Sequence, residues 1–111
     1  MNPELAFNAY VFLPNALNLV ENRMQIDYDT QLGSTPEEVA ALHSKMLAPQ
    51  PNQVLPFIAA LSPREKSLLI GVGTLVLGSM DDEELAALTG LPRAEMEDVL
   101  NFVGESESEE A

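Results

Sequence analysis

The residues able to do chemistry are few and poorly assorted. His43 is the single histidine, and the chain has no cysteine. Structural zinc takes four Cys or His ligands, so zinc is excluded on ligand supply alone. A serine-based catalytic centre would have to be assembled around this one imidazole. Ser34, Ser44, Ser62, Ser67 and Ser79 have no second base to share. Carboxylates are abundant, with 18 acidic against 5 basic residues and a formal net charge of −13. They fall in runs at helix starts, where the macrodipole and solubility account for them. No phosphate loop, dinucleotide fingerprint or nucleophile elbow is present. Asp27 to Glu38 nearly scans as a twelve-residue calcium loop, with oxygen-bearing residues at its first, third, fifth, ninth and twelfth positions. Its sixth position, where the sharp turn needs glycine, is Leu32, and Gly33 comes one place late. The stretch reads as a polar loop feeding a capped helix. No enzyme chemistry, metal or other cofactor is expected.

The elements that carry these residues are expected to be helices. A chain of 111 residues can bury one core. It is 46% hydrophobic but only 5% aromatic, without tryptophan. Leu, Val, Ala and Met suit helix-on-helix packing better than a sheet sandwich. The expected fold is all-α, a compact bundle of five to six helices with a helix-turn-helix-like C-terminal half. Residues 1–103 form a single helical domain, and residues 104–111 an acidic, disordered tail.

Two helix starts are explicit. Thr35-Pro36-Glu37-Glu38 and Ser62-Pro63-Arg64-Glu65 each place a hydroxyl N-cap, proline at the first position and glutamate at the third. The first opens a helix to about Leu47, with His43 on its edge beside Val39 and Leu42. A proline linker, 48–52, leads to a short helix over 54–61. The second opens a helix to about Gly78, whose run Leu68–Leu77 is apolar on all sides and is expected to be the central buried helix. Gly71, Gly73 and Gly78 predict close approach of a neighbouring helix. That run is about half the ~20 residues that span a bilayer. The N-terminus lacks the basic start of a secretory signal, so a cytoplasmic protein without membrane partners is expected.

Residues 3–22 are helix-like but interrupted by Pro14, which predicts a kink or two short helices. Phe7, Tyr10, Phe12 and Leu13 crowd this helix with few charges nearby, marking an apolar surface for a partner or for a homodimer. Met24, Ile26 and Tyr28 recur at period two, a faint strand signal more consistent with an extended loop.

Between Asp82 and Val103, Leu85, Ala86, Gly90, Leu91, Met96 and Val99 fall at the spacing of a helix-turn-helix. A small residue marks the crossing, glycine the turn, and apolar positions lock the second helix onto the first. With Leu61-Ser62-Pro63-Arg64-Glu65 ahead of it and Glu84-Leu85-Ala86 opening its scaffold helix, the stretch 61–103 resembles the DNA-binding domain of LuxR-type regulators. The resemblance implies a recognition helix over 92–103, exposing Arg93, Ala94, Glu97, Asp98 and Asn101, with Arg93 and Asn101 as base readers. The sequence departs from the family in a first helix about one turn longer, and in charge.

That charge decides the reading. From Asp81 to Ala111 there are eleven acids and Arg93 alone as a base. Major-groove readers present Arg, Lys, Asn or Gln, backed by cations for phosphates. Here Asp81, Asp82, Glu83, Glu84, Glu95, Glu97 and Asp98 line the same segment and repel phosphate. The expectation is a protein partner with a basic surface and no direct nucleic acid; three readings of the segment stay open, namely two packed helices without a helix-turn-helix role, a helix-turn-helix fold reused to hold a protein, and an acidic face that mimics DNA. The sequence thus points to a bacterial or phage regulator or assembly factor; a DNA-binding helix-turn-helix is the alternative.

Overall fold

The computed structural model describes residues 3–22 and 26–110. In chain order these form α1 (Pro3–Asn22), a π-turn (Tyr28–Leu32), α2 (Pro36–Met46), a 3-10 turn (Pro51–Gln53), α3 (Val54–Ala59), α4 (Pro63–Ser79), α5 (Asp82–Thr89) and α6 (Arg93–Glu110). There is no strand among the described residues. Of the period-two residues, Met24 lies outside the described residues, Ile26 lies in no regular element and Tyr28 opens the π-turn.

The central helix is α1, not α4. Ala6, Ala9, Phe12, Leu13, Ala16, Leu17 and Val20 are all buried, and α1 packs against all five other α-helices. Its alanines let neighbours approach, while Phe12 and the leucines fill the space between them. A helix that is apolar all round needs neighbours all round, and a chain this short can surround only one. On α4, Leu68, Leu69, Val72, Val76 and Leu77 are buried, whereas Thr74 and Gly78 are exposed. Pro14 does not divide α1, which runs unbroken. It sits on the half-exposed side, and Tyr10, whose carbonyl it deprives of the usual donor, is exposed too.

Capping follows the sequence closely. Thr35 Oγ1 accepts from Glu38 N at 3.2 Å. Ser62 Oγ accepts from Glu65 N, and Glu65 accepts in return from Ser62 N at 3.0 Å. Glu38 does not reciprocate at the first start. It is held instead by Arg64, whose guanidinium donates to both its oxygens, and by the Ser34 hydroxyl. That clamp joins α2 to α4, and Lys45–Glu65 at 2.8 Å makes a second tie between them. Asp27 caps the π-turn by accepting from Thr30, and Gly33 closes it with φ +61. The calcium-like stretch is therefore closed on itself, and no metal-holding cluster exists among the described residues.

Helix α6 runs from Arg93 to Glu110. Glutamate propagates a helix readily, and no proline follows Gly104 to stop it.

Of the three glycines on α4, Gly73 most clearly carries the close approach expected of it. A Cβ there would lie 2.5 Å from Leu100 Cδ2 and 3.2 Å from Leu100 Cγ. α4 and α6 meet at this point. Gly73→Val is expected to destabilise by about 1–3 kcal/mol through overpacking. Leu100→Ala in the same chain should recover part of the loss, so chemical denaturation of the two single variants and the double variant should show coupling.

Candidate functional site

Helix α5 begins at a complete capping box. Asp81 Oδ1 accepts from Glu84 N at 2.8 Å, and Glu84 reaches back to Asp81 N. Gly90 ends the helix with φ +76, its N–H bound to Ala86 O at 2.8 Å, and α6 starts three residues later. Leu85, Leu91, Met96 and Val99 are buried and hold the two helices to the core. Ala86 is exposed. Leu85 and Thr89 are the buried residues of α5, and Thr89 Oγ1 accepts from Leu91 N across the turn at 3.1 Å.

The acidic residues do not form one uniform face. Asp81 and Glu84 serve the cap. Asp82 is exposed but paired with Arg93. Glu83, Glu97 and Asp98 are exposed, and Glu105 extends the series along α6. Glu95 turns the other way, half-buried against α1, where Asn8 donates to it at 3.3 Å.

Arg93 is not free to read bases. Its guanidinium donates to Asp82, to Leu77 O at 2.7 Å and to Met80 O at 2.7 Å. It secures the α4 C-terminus and the loop after it, a favourable place for a cation. The segment's one base is thereby spent internally. Asn101 is exposed on α6 as expected.

Burial pushes the Glu95 carboxyl above the usual glutamate range, and the Glu4 carboxylate adds to it; Asn8 opposes the rise and Asp98 reinforces it. An acid whose folded pKa is raised weakens the fold when ionised, and that penalty disappears as pH falls below its unfolded value. Glu95→Gln is therefore expected to raise the melting temperature at neutral pH. The gain should vanish below about pH 4. Glu38 behaves oppositely, because Arg64 holds its carboxyl low, and Glu65 is held low by Lys45. Their contributions are present above the unfolded glutamate pKa and are lost as pH falls through the folded ones. Thermal melts of wild type and Glu95→Gln across this range check both signs.

The apolar candidates on α1 separate. Phe7 is 54% and Tyr10 39% exposed, as a surface role requires, but Phe12 and Leu13 are buried in the core. Phe12 and Leu13 follow Phe7 closely in sequence yet lie on the opposite side of a 3.6-residue repeat. The outward stripe also carries Val11, Pro14 and Asn18, with little charge.

Three features escaped the sequence. An open groove of about 800 Å³ runs between α4 and α6, floored by Ile70, Leu77 and Leu100. His43, placed correctly at a boundary, has a specific partner in Glu21, with Nδ1 2.9 Å from Oε1. Lys66 is fully buried, and no buried side-chain nitrogen or oxygen among the described residues lacks a hydrogen bond. Lys66 shares its stripe with Leu69 and Gly73 at helical spacing, the signal that would have found it.

No helix among the described residues is long and apolar enough to cross a membrane. No protein-family model matches the chain, and no curated protein or solved structure matches it either.

Proposed function

We propose that this chain is a non-enzymatic protein-binding regulator or assembly factor whose exposed acids on α5 and α6 engage a basic partner surface. One observation carries the reading. The only base between Asp81 and Ala111 is bound to Asp82 and two carbonyls, so Glu83, Glu97, Asp98 and Glu105 face solvent without a competing cation from that segment. A surface of one sign steers an oppositely charged partner and repels phosphate. The same observation weighs against the DNA-binding alternative, in which Arg93 would be a reader beside Asn101. In its sharpest form the acidic face mimics DNA and occupies a nucleic-acid-binding surface of the partner.

The exposed Phe7 and Tyr10 favour a second contact on α1, apolar and insensitive to salt. The two contacts are separated by ionic strength. Partner captured on the immobilised chain at about 0.1 M salt should be released at about 1 M, where the screening length falls to about 3 Å. Retention at high salt with loss on Phe7→Ser would assign the contact to α1 instead. Competition by duplex DNA for the captured partner tests the mimic.

A further inference from the structure

The groove between α4 and α6 has features that neither helix needs for its own packing. The two helices run antiparallel. Gly73 sits at Leu100, the Leu77 carbonyl at Arg93, and the Gly104 backbone beside Ile70. One wall is the α4 stripe from Ile70 to Gly78, the other the α6 stripe from Arg93 to Glu105. At 1.5 Å per residue these walls are about 12 and about 18 Å long, the length of two to three helical turns.

One glycine on the α4 wall is not required by packing. Gly78 has negative φ, so backbone conformation does not call for glycine there. A Cβ at Gly78 would meet nothing within 4 Å. Gly73, by contrast, is required by Leu100. Glycine inside a helix is unfavourable relative to alanine, and where packing does not demand it, it leaves bare backbone for something to approach closely.

The rim specifies the chemistry of the occupant. Glu97 and Glu105 edge the groove, Thr74 and Asn101 offer hydrogen-bonding side chains, and the Arg93 guanidinium is already engaged. Both acids stand on the α6 wall, so an apolar floor with one acidic edge complements an apolar stripe bordered along one side by cations.

We propose that the α4/α6 groove is the seat of a basic amphipathic helix of the partner, two to three turns long, with apolar side chains at i, i+3 or i+4, and i+7 on the floor and Lys or Arg against Glu97 and Glu105. This is the helix-in-groove mode of recognition. It rests on the acidic-face reading above and gives that face a defined depth and register.

The test uses a fluorescent synthetic peptide of about 11 residues, three helical turns, built from Leu and Lys in amphipathic phase. A scrambled peptide of the same composition is the control. Thr74→Trp and Gly78→Trp fill the groove at exposed positions, and each is first checked for an unchanged thermal melt. The amphipathic peptide is expected to bind at least about tenfold more tightly than the scrambled one. Both tryptophan variants and Glu97→Lys should weaken it by a similar factor. Absence of binding, or equal binding of both peptides, overturns the proposal. If the tryptophan variants bind like wild type while Glu97→Lys/Asp98→Lys does not, the groove is overturned and the acidic face stands. Loss in the tryptophan variants with indifference to charge reversal removes the acidic-face reading, and the basic occupant with it.

Discussion

Replacing Phe12 by alanine is expected to cost about 3–5 kcal/mol of stability, the largest single loss foreseen in this chain. Phe12 is the largest side chain in the core with no exposed surface, and it lies on the helix that every other α-helix touches. Alanine would remove most of that side chain from the core. The surroundings cannot close the space without moving elements that also pack elsewhere. Phe7→Ala, five residues earlier on the same helix, should change stability by less than about 0.5 kcal/mol, because Phe7 is 54% exposed. Denaturant unfolding of the pair reads the difference directly. Comparable losses would mean that α1 does not occupy the centre.

The second large effect is on binding. Glu97→Lys with Asp98→Lys reverses two adjacent exposed acids on α6 and takes the net charge from −13 to −9. Both sites face solvent, and each reversal relieves repulsion within an acidic segment, so the fold should be unharmed. Partner affinity should fall at least tenfold, about 1.4 kcal/mol, with a shallower dependence on salt. Asp29→Lys with Glu37→Lys makes the same change in net charge at exposed positions on the π-turn and α2. That variant should bind like wild type. Equal weakening by both would show that only overall charge matters, and would dissolve the idea of a face.

Much of the fold was legible because local grammar and global packing agree here. Thr35, Ser62 and Gly90 mark helix ends by chemistry that acts within four residues, and the helices begin and end where those residues place them. What was not legible depended on neighbours distant in sequence. Glu38 matched a capping box in spacing, yet Arg64, 26 residues away, holds its carboxylate. Phe12 and Leu13 looked like Phe7 and Tyr10 in type, and only the choice of central helix sorted them. The Leu68–Leu77 run was read as central because it is apolar on all sides. α1 keeps an exposed stripe through Phe7, Tyr10 and Asn18 and is nonetheless the helix enclosed on its remaining sides.

The candidate site shows the same division. The exposure of Glu97, Asp98 and Asn101 was what the helix-turn-helix resemblance implied, and Glu83 is exposed with them. The turn of Glu95 toward Glu4 and Asn8 was not legible, since it requires α1 and α6 to be adjacent. Nor could sequence show that Arg93 is consumed by Asp82 and by the carbonyls of Leu77 and Met80. That capture is the step from an apparent base reader to a structural clamp. The groove depends on the antiparallel register of α4 and α6, which a linear pattern does not encode.

The central claim is that the exposed acids of α5 and α6 form the binding surface. The most direct measurement is an amide chemical-shift map of the ¹⁵N-labelled chain titrated with its captured partner. The account predicts that the shifts concentrate on Glu83, Glu97, Asp98, Asn101 and Glu105 and fade as salt is raised. Shifts confined to Phe7, Tyr10 and their neighbours on α1, unchanged by salt, would contradict it.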